Sequence, residues 1–405
     1  MNAMTKDLLQ SLLIDRTSES PESLIVRCLI KRGLLSAGDI ARFTGLGRST
    51  VSTALVGLRQ SEIVVEAERL PGTAKGVGRP ATALALNPLA GSCVGIHIAL
   101  EAVRVMVADA SHSVISQKIV KLDRDYSPEI AAQLAKSMIT EAYFENGLAT
   151  SGILGVGIAV SGPLTPDGVV QRASGVPTWT GVNIGEAFGP VLEQAIFADN
   201  ESNCAAIAEM TWGAARGHDD FVLFTIDLGV GGAVVQHGRV VTGIAGAAGE
   251  FGHISIDPGG DLCRCGNRGC LELYAGFNGP LEQISRVFCR KVGLGEAIAM
   301  AQAGDVGALR MIRDTAEMAG RGLGVIGSIL NPPLIIIAGR LARAGDILLE
   351  PLTAAYERHT LIKTQDVAPD FRTRIVIGEH TNNSSLLGAV GLVLRHYGSV
   401  DPRRY

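Results

Sequence analysis

Three cysteines packed into Cys263-Arg264-Cys265-Gly266-Asn267-Arg268-Gly269-Cys270 constrain this 405-residue chain more than any other feature. Thiols so close together either cross-link or share an ion. Asp7 and Asp15 interrupt the apolar N-terminal residues, so no secretory signal is legible. In a chain expected to remain in the cytoplasm, clustered cysteines favour metal over disulfide. His253 lies upstream and completes a tetrahedral Cys₃His shell. Four protein ligands leave no open coordination position, which predicts one structural zinc per chain held by His253, Cys263, Cys265 and Cys270. Gly259, Gly260, Gly266 and Gly269 allow the loop to fold around it. Cys28, Cys93, Cys204 and Cys289 are scattered among apolar neighbours and read as ordinary buried thiols.

The length calls for two or three domains. Hydrophobic residues at 47% and charged residues at 19% suit packed cores and exclude a disordered chain. Fifty glycines with 4% aromatics point to an α/β protein with many tight strand-to-helix turns. The most apolar late stretch, Gly322 to Gly339, is broken by Asn331-Pro332-Pro333 and is too short to span a membrane. A net charge of -4 excludes a protein basic throughout, although not a local basic module.

Such a module lies at the start. Leu24, Cys28 and Leu29 share one face of a helix over Ser23 to Arg32, stopped by Gly33. Ser36 with Asp39 begins a second helix, carrying Ile40 and Phe43 inward and ending at Thr44-Gly45. Val51, Leu55 and Leu58 mark a third. Two short helices joined by a glycine-containing turn form a helix-turn-helix pattern. Arg48, Ser49, Thr50, Ser52 and Thr53 are exposed near the start of the third helix, as in a helix that enters the major groove by its N-terminus. Three short helices alone occur in many folds. The residues after them tip the balance: Ile63-Val64-Val65 and Ala83 to Leu86 read as strands around an acid-free tip, Pro71 to Pro80, that carries Lys75 and Arg79. This tip reads as a wing, with Arg79 between Gly78 and Pro80 placed to enter a narrow minor groove. From Asp39 to Pro80, six bases stand against four acids.

After Asn87-Pro88 the pattern changes to α/β. Cys93 to Leu100, Val103 to Ala108, Val114 to Lys121, Ile153 to Val160, Ala195 to Ala198, Val222 to Leu228 and Leu334 to Ala338 read as strands, and Ser127 to Asn146 as a helix. Ligands in such folds bind beyond the carboxyl ends of strands. Glu250 and Glu272 flank the cysteine loop, and Asp199-Asn200-Glu201 ends a strand. Any one of these acids is commonly a solvated surface group. Together they suit a ligand with several hydroxyls.

Gly-Arg-Pro at 78 to 80, Asp-Asn-Glu-Ser-Asn at 199 to 203, Gly-Glu-Phe-Gly-His at 249 to 253 and the run from Cys263 to Glu272 resemble the ROK family (repressors, open reading frames, kinases), in its regulator branch, over nearly the full length. The resemblance implies a winged helix-turn-helix in residues 1–88 and a two-lobed hexokinase/actin-like, ribonuclease H-like domain. Its small lobe would be 89–197, with a C-terminal helix 384–397 returning to it, and its large lobe 198–383. It implies a sugar site lined by Gly162, Asn200, Glu201, Glu250, His253 and Glu272, with one ring nitrogen of His253 on zinc and the other on the sugar. Ser161 stands where some relatives have glycine. Operator DNA, a sugar effector and a homodimer or homotetramer would be the partners, with no membrane involved.

Departures from the kinase pattern bear on activity. Kinases of the family carry an Asp and a Gly-Gly-Thr loop on the first hairpin, whereas Gly95 to Glu101 here has no acid at that place and no glycine pair. Glu201 stands where the kinases have an Asp base. Arg340 replaces a glycine near the nucleotide, and Gly229-Val230-Gly231-Gly232 reads as hairpin chemistry. A repressor that binds sugar without turnover is therefore expected. The alternatives are an active sugar kinase with an added DNA-binding domain, and a regulator controlled by a partner protein.

Overall fold

The computed structural model describes residues 19–67, 82–171 and 176–398, with Leu9, Ser11 and Leu12 besides. From residue 19 onward, three helices come first: Pro21–Arg32, Ala37–Thr44 and Arg48–Gln60. Ser20 caps the first by accepting from the Ser23 N–H at 3.2 Å. Ser36 and Asp39 cap the second reciprocally, and Gly45 ends it at φ 74°. Strands β1 (Leu35–Ser36), β2 (Val64–Ala67) and β3 (Ala83–Leu86) form an antiparallel sheet in the order β1-β3-β2. The two residues of β1 are too few to show a period, so they escape a sequence reading. Ile25, Leu29, Ile40, Val51, Leu55 and Leu58 are buried between the helices. Phe43 is not: it stays 40% exposed, because Arg32 and Arg42 lie 3.8 and 4.7 Å from its ring centroid and hold it at the rim. The expected wing tip, with Lys75 and Arg79, lies outside the described residues.

Two further sheets share one topology. In the first, β4 (Ser92–Ala99), β5 (Ala102–Asp109) and β6 (Val114–Lys121) form an antiparallel meander, and β7 (Ile153–Val160) and β8 (Ile196–Asn200) continue parallel to β4, giving β6-β5-β4-β7-β8. The second repeats this order with β9 (Phe221–Ile226), β10 (Val230–Gln236), β11 (Arg239–Val241), β12 (Leu334–Ala338) and β13 (Arg374–Ile377), as β11-β10-β9-β12-β13. This doubled, open-sheet arrangement is the two-lobed hexokinase/actin-like fold.

Burial on both faces explains the near-continuous apolar run of β7, whereas β6, at the edge, is largely half-buried or exposed and carries Lys118 and Lys121. The helix Pro128–Glu145 covers one face of the first sheet, meeting Ile96, Val105 and Val156. The helix Ser384–Gly398 covers the other, so closely that a Cβ on Gly157 would lie 1.8 Å from the Ala389 carbonyl oxygen. That helix also packs with Ile25 and Leu29, so one apolar cluster runs from the N-terminal helices into the first lobe. The helix Glu201–Trp212 leads from β8 to the second sheet, whose core holds Phe224, Ile337 and Leu323.

Cys93 and Cys204 are buried, but Cys28 is only partly so and Cys289 is exposed. Cys289 sits at φ 53° in a tight surface turn after the helix Asn278–Val287, where no core is available to cover it. Among the described residues, no helix is long and apolar enough to cross a membrane.

Candidate functional site

Neighbouring parallel strands deliver their carboxyl ends to one place. His97 stands near the end of β4, Ser161 follows β7, and Glu201 follows β8. The Glu201 carboxylate Oε2 meets His97 Nε2 at 2.9 Å and accepts from Ser161 Oγ at 2.6 Å. Burial alone would raise the Glu201 carboxyl. The His97 hydrogen bond and charge, the Ser161 hydroxyl and Arg104 outweigh it and hold Glu201 below the ordinary carboxylate value. Gly162, at φ 139°, directly follows Ser161. Asn200 also shapes the backbone here. Its Oδ1 caps the following helix by accepting from the Ser202 N–H at 2.7 Å, leaving the Nδ2 donors for other partners.

Glu250 and Glu272 come in from the second lobe. Burial pushes the Glu250 carboxyl up to about 7, opposed by Arg264 and reinforced by the negative charges of Glu272 and Glu201. Glu272 pairs with Arg264 Nε at 3.1 Å and accepts from the Val230 N–H at 3.4 Å. The glycine run beside it does more than shape a hairpin. A Cβ on Gly229 would lie 2.6 Å from Glu272 Oε2, and one on Gly231 would lie 2.7 Å from Ser202 Oγ. The missing side chains let the acid and the β8 helix close on the cleft, which a hairpin reading of Gly229 to Gly232 does not contain.

His253, Cys263, Cys265 and Cys270 have their ligand atoms all within 4.8 Å of one another. His253 Nδ1 is 3.6 Å from Cys263 Sγ, and Cys265 Sγ is 3.6 Å from Cys270 Sγ. Tetrahedral zinc with Zn–S bonds of about 2.3 Å sets its ligands roughly 3.8 Å apart, so the donor set and spacing fit a metal of that kind. Gly269, at φ 61°, places its Cα where a Cβ would lie 1.6 Å from the Asp257 carbonyl oxygen, which fixes the loop's return.

The second sheet has its own cluster at the equivalent strand ends. Asp227 follows β9 and Arg340 follows β12. They form a forked ion pair, Arg340 Nε at 2.9 Å from both carboxylate oxygens and Nη2 at 2.5 Å from one. In the first sheet Arg104 stands directly across from His97. Its Nε is buried and meets no hydrogen-bond partner among the described residues. Glu101, at the β4–β5 turn, pairs with Arg124 at 2.7 Å.

His97, Arg264, Asp227 and Arg104 were not legible as site residues in the sequence. His97 is an alternating position in an apolar strand, and only the β4–β7–β8 neighbourhood aims it at Glu201. On the N-terminal domain, Arg48, Ser49, Thr50, Ser52 and Thr53 are all exposed along the start of one helix, whose first turn has no acid.

A family model described as ROK family matches residues 93–396. The xylose repressor of Bacillus subtilis (strain 168) is 28% identical over 333 residues, covering 82% of this chain and 85% of its own length. The glucokinase of Thermotoga maritima is 30% identical over 262 residues, covering 60% of this chain and 80% of its own. A crystal structure of a ROK family transcriptional regulator, a homolog of the E. coli MLC protein, superposes with a TM-score of 0.73 at 21% identity, covering 96% of this chain and 97% of that one. Chains similar to this one thus include both repressors and sugar kinases.

Proposed function

Since this chain belongs to the ROK family, we propose that it is a DNA-binding transcriptional regulator, a repressor by likeness to the xylose repressor, whose cleft binds a monosaccharide or close derivative without phosphorylating it. The observation that carries the reading is the environment of Glu201. At the position of the kinase base, the carboxylate is held on one oxygen by His97 and Ser161. A base must be aligned on the attacking hydroxyl and free to take its proton. A carboxylate kept ionised by two donors is instead suited to accepting a sugar hydroxyl. On the nucleotide side, Asp227 is closed in its ion pair with Arg340, and Glu101 is paired with Arg124 at the first hairpin. That hairpin lacks the glycine pair whose backbone amides would cradle a phosphate.

In this reading Gly162, Asn200, Glu250, His253 and Glu272 complete the sugar site. His253, Cys263, Cys265 and Cys270 would hold one zinc ion, which would rigidify the loop that carries His253 and precedes Glu272. The exposed face from Arg48 to Thr53, with Lys75 and Arg79, would read a pseudo-palindromic operator as a dimer or tetramer.

The test is to capture genomic DNA fragments with the full chain, then add a sugar panel that includes D-xylose and D-glucose, and to assay the same sugars with ATP and magnesium. Sequence-selective DNA capture, altered by a sugar that is not turned over, is expected. Glu250→Ala and Glu272→Ala should keep DNA binding and lose the sugar response. Sugar-dependent turnover on the order of 1 per second would establish the other reading, a kinase with an added DNA-binding domain, which the likeness to glucokinases favours.

A further inference from the structure

His112 is a histidine at φ 76°, in the left-handed region that side chains with a Cβ seldom adopt. The Asp109–Ser113 turn holds it there: Asp109 Oδ1 accepts from the Ser111 N–H at 2.8 Å, the Ser113 N–H at 3.0 Å and the Ser111 hydroxyl at 2.6 Å. Within the apolar cluster that joins the N-terminal helices to the first lobe, its imidazole bridges two helices through hydrogen bonds. Nδ1 is 3.2 Å from Trp212 Nε1, and Nε2 is 2.8 Å from the Ile30 carbonyl oxygen. An indole N–H can only donate, so Nδ1 is the acceptor and Nε2 carries the proton that goes to Ile30. Burial drives the imidazole pKa down to about 4, which keeps the ring neutral and this tautomer in place. The Ile30 carbonyl is among the last four of the helix Pro21–Arg32, which lack a partner within the helix. Gly33, at φ 71°, leaves room for the ring: a Cβ there would lie 3.3 Å from His112 Nδ1.

Trp212 is the last residue of the helix that begins at Glu201. Twelve residues make a rod of about 18 Å, buried over most of its length, with the cleft at one end and His112 at the other. Beyond Ile30 the chain runs directly through Gly33 and Leu35 into Ala37–Thr44 and Arg48–Gln60.

We propose that the helix Glu201–Trp212 and the His112 bridge form the mechanical link through which the cleft biases the DNA-reading helices. A ligand that engages Asn200 and Glu201 shifts the rod, Trp212 carries the shift to the imidazole, and the imidazole moves the end of Pro21–Arg32. The link rests on the regulator reading above, but its test uses neither DNA nor sugar, so the two can fail separately.

Amide hydrogen exchange of the full chain is measured for wild type, Glu201→Gln, Trp212→Phe and the double variant. Trp212→Phe removes the indole donor and keeps most of the ring. Glu201→Gln perturbs the far end of the rod. The expected result is that Glu201→Gln changes exchange at residues 33–36 severalfold in wild type and not in the Trp212→Phe background. An equal effect of Glu201→Gln in both backgrounds, or none in either, overturns the link. Should Trp212→Phe fold poorly, His112→Asn serves in its place, since asparagine tolerates a positive φ and breaks the bridge at its centre. A merely structural role for His112 would disturb residues 30–36 in that variant without removing the Glu201 effect.

Discussion

Asp199 shows how the site's chemistry is set at the level of one residue. It is half-buried at the end of β8, accepting from Asn203 Nδ2 and the Asn200 N–H, both at 2.7 Å. Burial nevertheless raises its carboxyl to about 6, against an ordinary value of 3.8. The folded chain therefore holds this proton more tightly than the unfolded chain does. Stability contributed by the protonated form is full below about pH 4 and lost as pH rises through 6. The ionised group then costs at most about 3 kcal/mol. Asp199→Asn keeps the Oδ1 acceptor and removes the charge. Its melting temperature should exceed that of wild type at pH 8, and the difference should close as pH falls to 4. A difference independent of pH would mean that Asp199 is not neutralised on this scale. In the sequence, Asp199, Asn200 and Glu201 are polar residues ending a strand, and their company with Glu250 suggests a hydroxyl-rich ligand. Nothing there shows that Asn200 spends its oxygen on a helix cap, nor that His97 reaches Glu201. Those facts depend on which strands are neighbours, and residues 97 and 201 are far apart along the chain.

At the scale of elements, local signals translate best where a short motif fixes its own geometry. Ser36 with Asp39 produces its capping box, and the cysteine loop brings four donor atoms together without help from distant sequence. Phe43 departs from its expected inward position because helical periodicity cannot tell a core position from one covered by two arginines. The cysteine loop can be tested as a unit. Zinc measured by elemental analysis should be close to one per chain in wild type and much lower in Cys265→Ser. Sugar-induced stabilisation should fall with it, since Cys270 immediately precedes the helix that carries Glu272. Full zinc content in Cys265→Ser would remove that residue from the ligand set. The helix Arg48–Gln60 makes a separate prediction. Arg48→Ala should weaken operator binding by about 1–3 kcal/mol if Arg48 contacts a base, with an unchanged melting temperature because the side chain is exposed. Loss of binding together with loss of folding would instead point to a structural part.

For the whole molecule, the N-terminal domain is not an appendage. Ile25 and Leu29 belong to the same apolar cluster as Met106, Leu386 and Val390. A chain starting at Asn87 would expose that surface to water at a cost of about 25 cal/mol per Å². Such a chain should melt lower than the full protein and bind a hydrophobic dye such as ANS; equal stability would show that the shared cluster adds little. The α/β class was legible in the sequence because β4, β7, β9 and β12 are apolar runs followed by glycine or polar residues, whereas the two lobes followed only from the resemblance to the ROK family. The repetition of one strand order in both sheets was not legible, since pairing order leaves no trace in composition or period. That repetition places two clusters, Glu201 with His97 and Asp227 with Arg340, at equivalent strand ends.

The His112 bridge also has an optical consequence. The chain has two tryptophans. Trp179 is fully buried, with its indole N–H on the Tyr126 carbonyl at 3.0 Å. Trp212 donates to a histidine at the junction of the N-terminal helices and the first lobe. Indole emission responds to its hydrogen-bond partner and to a nearby imidazole, so a Trp179→Phe chain carries a single native indole, at the bridge itself. Its fluorescence would follow the movement of that junction in real time and without a label.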